Sequence, residues 1–307
     1  MEKLDFTFKK NRKLGELISD YIALFKMIFK HFNKNIITLS LPFAAIFMLL
    51  MFYSFSYFVP FIYNSNEPSL GSIIGIAVSF SFLMFFFILI ISVFGIEYML
   101  LLEEKGNTDF TTGDVFAKIK QNFGKYLLFF LSSILIMLMI SIPFGIAAFI
   151  LAFIPLVGTI AIGILGAMLM LFIYCSLFLY LQGKEKLWDS YSASFNLIKS
   201  KIFEYGVASY LFQFMVNITL GFISLIPIVI LAIIAFTTLG FNPDFFLTFG
   251  GKIIVSLGIS IVTLLMVFAS IYLISFYVLQ YFSLLEVSYS EETLEDIEQI
   301  GTTTDEI

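Results

Sequence analysis

The chain has 307 residues, 60% of them hydrophobic and 13% charged, with a mean hydropathy of +1.01 and a net charge of −5. A soluble globular domain is nearer half apolar and a quarter charged, so the composition excludes a soluble fold and points to a polytopic membrane protein. One cysteine, Cys175, excludes an intrachain disulfide framework.

Residues 1–34 are a basic, amphipathic segment in which Leu14, Ile18, Tyr21, Ile22, Phe25, Ile28, Phe29 and Phe32 recur at helical spacing. Such a start lacks the short basic region and compact apolar core of a cleavable signal, so a mature, intracellular N-terminus is expected. Between Lys34 and Glu103 the only charged residues are Glu67 and Glu97. Between Lys125 and Lys184 there are none in 58 residues, and between Glu204 and Glu286 only Asp244 and Lys252. A 58-residue helix would be about 87 Å long against a hydrocarbon core of roughly 30 Å, so each run must fold back. The turn residues mark where: "YNSNEPSLG" (63–71), "IPLVGT" (154–159) and "LGFNPDFFLTFGGK" (239–252). Six spans follow, near 35–59, 72–102, 126–154, 159–182, 206–238 and 253–287. Pro42, Pro143 and Pro227 should each kink an odd-numbered span.

The lysines orient them. Of 17 Lys and Arg, eight lie before residue 35, four in 103–125 and four in 183–204, whereas the turns within the span pairs hold only Lys252. Basic residues collect on the cytoplasmic side, so both termini are expected in the cytoplasm of a bacterial inner-membrane protein.

Each odd-numbered span is preceded by a similar element. "FKMIFKHFNKN" (25–35), "FAKIKQNFGKY" (116–126) and "FNLIKSKIFEY" (195–205) all place Ile three residues after Phe, with lysine close by. In the third element Trp188, Tyr191, Phe195, Ile198, Ile202 and Tyr205 continue the apolar spacing. Thr111 and Asp114 form a capping box that starts the second. The expected fold is an all-α integral membrane protein of six transmembrane helices, built as three units of cytoplasmic interfacial helix plus two-span hairpin. Its divisions are 1–34, a basic amphipathic segment; 35–287, the six-span domain; and 288–307, an acidic tail. The interfacial helices would lie with their lysines toward anionic headgroups, making membrane lipids the first expected partner. In the tail, Ser288 and Glu291 suggest a second capping box. Leu294, Ile297 and Ile300 would then share a face, and Gly301 would end the helix.

The stretch "EKLWDSYSASFNLIKSKIFEYGVASYLFQFMVNITLGFISLIPIVILAII" (185–234) resembles the signature region of bacterial six-span families related to the membrane domain of glycerophosphodiester phosphodiesterases. There a short polar helix reads roughly A-x-x-x-S-x-x-L-x-K before a span with a central proline. Ser194, Leu197 and Lys199 approximate it, and "LGELISDYIALFKMIFKHF" (14–32) is similar to the N-terminal element of uncharacterised relatives. The resemblance covers the architecture and implies little function. The soluble phosphodiesterase barrel is absent, so no phosphodiesterase chemistry carries over.

Nothing in the sequence reads as an active site. His31 is the only histidine, and it sits beside Lys30 and Lys34 at headgroup level. A histidine-rich metal centre or a Ser-His-Asp triad would need more. Cys175 has no basic neighbour and reads as a small buried apolar residue. No nucleotide-binding loop, dinucleotide fingerprint or metal-spaced cluster is present, so no enzyme, cofactor or nucleic-acid partner is expected. Polar positions inside spans are the remaining candidates. Aligning the even spans at Glu103, Gln182 and Glu286 brings Glu97, Ser176 and Gln280 to one level, as a polar layer; the alternative is that Glu97 snorkels to water. Gln213 and Asn217, four apart on span five, are expected to make interhelical hydrogen bonds. Gly71, Gly75 and Ser79, and likewise Gly163 and Ala167, read as packing ridges within the bundle or against a membrane-protein partner. The function expected is a non-catalytic scaffold or accessory component; the alternative is a small-molecule or lipid permease.

Overall fold

The computed structural model describes residues 4–64, 69–239 and 248–302, with side chains at 4–58, 69–234, 236–237 and 248–290. Those residues form seven α-helices: α1 (Leu14–Asn64), α2 (Leu70–Lys105), α3 (Thr112–Ala152), α4 (Val157–Leu181), α5 (Leu187–Ile198), α6 (Ile202–Leu239) and α7 (Phe249–Thr302). All but α5 are long and apolar enough to cross a membrane. The protein is a polytopic, all-helical membrane protein with six such helices.

The interfacial helices differ from expectation. Residues 14–34 and 112–125 are the opening turns of α1 and α3, which continue unbroken into the spans. Neither stretch is therefore a helix of its own. The apolar stripe of α1 explains this. Leu17, Tyr21, Leu24, Ile28, Phe32, Ile36 and Leu39 are all buried, so the amphipathic face packs on protein rather than on lipid. Only α5 is separate, because residues 199–201 interrupt the helix before α6.

Local chemistry sets the other ends. At α3 the capping box forms as expected: Thr111 N donates to Asp114 Oδ2 over 2.7 Å and Asp114 N to Thr111 Oγ1 over 3.4 Å. Gly183 ends α4 with φ of 70°, a left-handed conformation that glycine adopts freely. Gly183 N reaches Tyr180 O and Lys184 N reaches Leu179 O, both at 3.1 Å. Between α3 and α4, Leu156 has φ 64° and ψ −62°, and Val157 N bonds to Pro155 O over 2.7 Å. That is a strained γ-turn. It brings Gly158 so close to Leu151 O that a Cβ would sit 1.8 Å away. Pro143 and Pro227 lie inside α3 and α6.

The sequence expectation of a fresh helix at Ser288 is corrected. α7 runs through that position to Thr302, and Ser290 Oγ bonds back to Glu286 O over 2.7 Å as a mid-helix serine does. The side chains of Glu291, Leu294, Ile297 and Ile300 lie outside the described ones.

The chain divides into two compact units. The first comprises Met1–Phe29, Ile96–Phe214 and Leu273–Ile307; the second, Lys30–Gly95 and Met215–Tyr272. Fourteen of the 17 basic residues fall in the first, here the basic unit. Its core is aromatic. Phe276 of α7 stacks on Phe212 of α6 at 4.4 Å between centroids, and Tyr21 of α1 meets both rings edge-on. Tyr277 stacks on Tyr174 of α4 at 4.8 Å. α4 and α6 approach closely: a Cβ at Gly163 would meet the Tyr210 ring at 2.3 Å, and one at Gly206 would meet Met168 at 2.4 Å. The Gly163–Ala167 ridge is thus a packing face. The other expected ridge does not pack within the bundle among the described residues, since Gly71 and Gly75 have open space where a Cβ would stand. In the second unit Phe43 stacks on Phe87 and Phe47 meets Phe80, joining α1 to α2.

Candidate functional site

The sequence positions Glu97, Ser176 and Gln280 all lie in the basic unit, and all are buried. Glu97 is 2% exposed and does not reach water. Its Oε1 accepts from Asn122 Nδ2 at 2.7 Å and from Tyr126 OH at 3.0 Å. Asn122 and Tyr126 stand one turn apart on α3, so one face of α3 supplies two donors to a single carboxylate oxygen of α2. The capping box that starts α3 and the Lys118–Glu104 ion pair at 2.8 Å set the register of this face. Lys125, beside it, donates to Leu181 O at the end of α4 over 2.8 Å.

Gln280 belongs to a separate network. Its Oε1 accepts from Ser209 Oγ over 2.8 Å and its Nε2 donates to Tyr205 O over 3.0 Å, which ties α7 to α6. Ser176 Oγ donates to Phe172 O over 2.8 Å, and Ser194 Oγ of α5 donates to the same carbonyl over 2.9 Å. Glu97 and Gln280 therefore serve two different helix contacts, whereas Ser176 bonds back within α4 and leaves the α4–α5 contact to Ser194. Each satisfies its polar atoms on neighbours, as buried groups must.

Gln213 and Asn217 do not meet expectation. Both are exposed on α6, and among the described residues neither makes an interhelical hydrogen bond. Across this span α6 has no fully covered face: Phe214, Met215, Ile218 and Phe222 are exposed as well. His31 is half-buried next to Asn35, and Cys175 is fully buried. Among the described residues no group of His, Cys, Asp and Glu is arranged to hold a metal ion.

One element escaped the sequence reading. Residues 4–13 form a non-helical strap, bent at Phe8 and Lys9 and held by Arg12, whose side chain is 1% exposed. Arg12 Nε pairs with Asp20 Oδ2 at 2.9 Å, Nη1 donates to Phe8 O at 2.7 Å, and Nη2 donates to Thr7 O. The strap is fastened further by Leu4 N to Gly106 O at 2.9 Å, Ser283 Oγ to Lys10 O at 2.7 Å and Lys9 to Glu103 at 3.3 Å. Tyr205 OH donates to Arg12 O over 3.2 Å and sits 2.8 Å from Ser283 Oγ, so the strap closes on the α6–α7 contact. A surface cavity of about 500 Å³ lies between Leu4–Lys9 and Glu103. In the sequence Arg12 is one of eight basic residues before position 35, with nothing to distinguish it.

No family model, curated protein or solved structure matches the chain.

Proposed function

We propose that the protein is a multi-pass bacterial inner-membrane scaffold or accessory component, non-catalytic, with both termini and the lysine-rich end in the cytoplasm. The observation that carries this reading is where the polar groups go. Those inside the spans of the basic unit are used up in helix contacts: Glu97 on Asn122 and Tyr126, Gln280 on Ser209 and Tyr205. Those on the surface, Gln213 and Asn217, point outward. Such a molecule has its polar interior committed to holding one shape and its outer faces available for assembly. Lys26, Lys30 and Lys34 stand four apart on one exposed face of α1 and meet anionic headgroups in this reading. Of the expected interfacial helices, α5 alone keeps that role, with Trp188 and Phe195 exposed beside Lys199.

A second reading, a small-molecule or lipid permease, is favoured by one observation. A carboxyl group buried inside a span is a common element of ion paths, and Glu97 is one. Proteoliposomes separate the two readings. Under the scaffold reading, gradients of protons, sodium or small solutes drive no current, and wild type and Glu97→Gln behave alike. A current that Glu97→Gln abolishes overturns it in favour of the permease.

A further inference from the structure

We propose that the exposed polar face of α6 binds a second copy of this chain, with Gln213 and Asn217 hydrogen-bonding across a two-fold axis. This deepens the scaffold reading by naming a partner, and rests on it only in taking the face to be an assembly surface. Gln213, Asn217, Gly221 and Ser224 recur at four-, four- and three-residue intervals, so they share one face of α6. Asn217 lies about 22 Å along the helix from Ile202, well inside the hydrocarbon thickness. Both carboxamides are exposed at that depth, and a Cβ placed on Gly221 would meet nothing within 4 Å. Among the described residues no group on another helix hydrogen-bonds either carboxamide. Lipid tails offer no hydrogen bonds, so an amide left against them keeps its full desolvation cost.

The chemistry of the face selects its occupant. A carboxamide carries both a donor and an acceptor, so two identical side chains brought together by a two-fold axis satisfy each other. A glycine one turn further on lets the two helix backbones come near enough for short amide side chains to meet. An apolar partner helix would leave the amides unpaired. An acidic or basic partner would answer only half of each.

Cross-linking between copies in liposomes tests this. Single cysteines are placed from 213 to 224; Cys175 is fully buried and stays silent. Cross-linking is expected to peak at 213, 217, 221 and 224 and to fall at least fivefold at 215 and 222, on the opposite side of the helix. A flat profile, or none above background, overturns the proposal. Energy transfer between labelled copies on dilution into lipid gives a second readout. Replacing both Gln213 and Asn217 by Leu should move the dissociation midpoint to a protein-to-lipid ratio at least tenfold higher, while Asn217→Gln stays near wild type. An unmoved midpoint in the double Leu variant overturns the pairing. If that variant does not fold, the cysteine profile decides. Failure here leaves a scaffold with a different partner standing. Dimers that also carry a Glu97-dependent current leave the pairing standing and remove the scaffold reading.

Discussion

Tyr126 and Glu97 stand on different helices, and the phenol hydroxyl donates to Glu97 Oε1 over 3.0 Å. Asn122 donates to the same oxygen over 2.7 Å, so the carboxyl group acts as the acceptor that fixes α3 against α2. What this contact needs is an oxygen at that point. Glu97→Gln keeps one and should change stability by less than about 1 kcal/mol. Glu97→Leu leaves two buried donors unpaired and should cost roughly 2–4 kcal/mol, at about 1–3 per unsatisfied group. Thermal unfolding in mild detergent measures both. A Glu97→Leu variant as stable as wild type would show that the contact is dispensable.

The double pairing also bears on what a sequence can show. The spans, their breaks and the capping box at Thr111 were readable because each rests on local chemistry: apolar length, turn residues, an i,i+3 spacing. The burial of Glu97 was not, since its partners are 25 and 29 positions away and depend on how α2 and α3 are paired. The same holds for Gln213 and Asn217. Their spacing puts them on one face, but whether a helix covers that face is a tertiary fact. Continuity of α1 and α3 was missed for a different reason. An amphipathic stripe looks the same whether its apolar side meets lipid or protein, and here Leu17, Tyr21 and Leu24 meet protein. Arg12 was invisible because nothing in its neighbours forecasts a guanidinium turned inward.

Arg12 should be the least replaceable basic residue in the N-terminal strap. Its fork reaches Asp20, Phe8 O and Thr7 O together, which one ammonium group cannot do. Arg12→Lys should release the strap and Arg12→Met should leave Asp20 without its closest partner. Either change should cost about 3 kcal/mol, in the range for breaking a buried pair. Hydrogen exchange over residues 4–11 should rise strongly in both variants and stay unchanged in Lys13→Met, whose side chain is exposed. Equal exchange in all three would mean that the strap is held by its backbone contacts alone.

Lys184, in the turn between α4 and α5, gives a pH signature. Desolvation first, then repulsion from Lys9, hold its pKa below the ordinary 10.5, with Glu103 acting in the opposite direction. The folded state therefore binds this proton less tightly than the unfolded state does. Below the folded pKa both states are charged and the lysine opposes folding. As pH rises from the folded pKa toward 10.5, the folded state sheds its proton first and stability recovers. Lys184→Gln should thus melt higher than wild type at pH 7, with the gap narrowing as pH approaches 10.5. A gap independent of pH would assign the effect to packing, for example to the contact of Lys184 with the Tyr281 ring at 5.9 Å.

Topology is the prediction on which the proposed orientation depends. Ser69 precedes α2 and Ser200 lies between α5 and α6; both are exposed. All four basic residues in 183–204, Lys184, Lys186, Lys199 and Lys201, lie close to a span end, where lysine counts decide which side of the membrane a loop takes. The turn carrying Ser69 has no basic residue, and Glu67 beside it contributes little to orientation. In intact cells a membrane-impermeant maleimide should therefore label a cysteine at Ser69 and leave one at Ser200 untouched until the membrane is permeabilised. Native Cys175 is buried and gives no background. Labelling at 200 from outside would invert the molecule. It would also move Lys26, Lys30 and Lys34 away from the anionic inner leaflet that they are proposed to meet. Labelling at both positions from outside would break the alternation of the helices between them, since α2, α3, α4 and α5 contain three long apolar helices and one short one. An odd number of crossings separates the two sites only if α5 stays on one side.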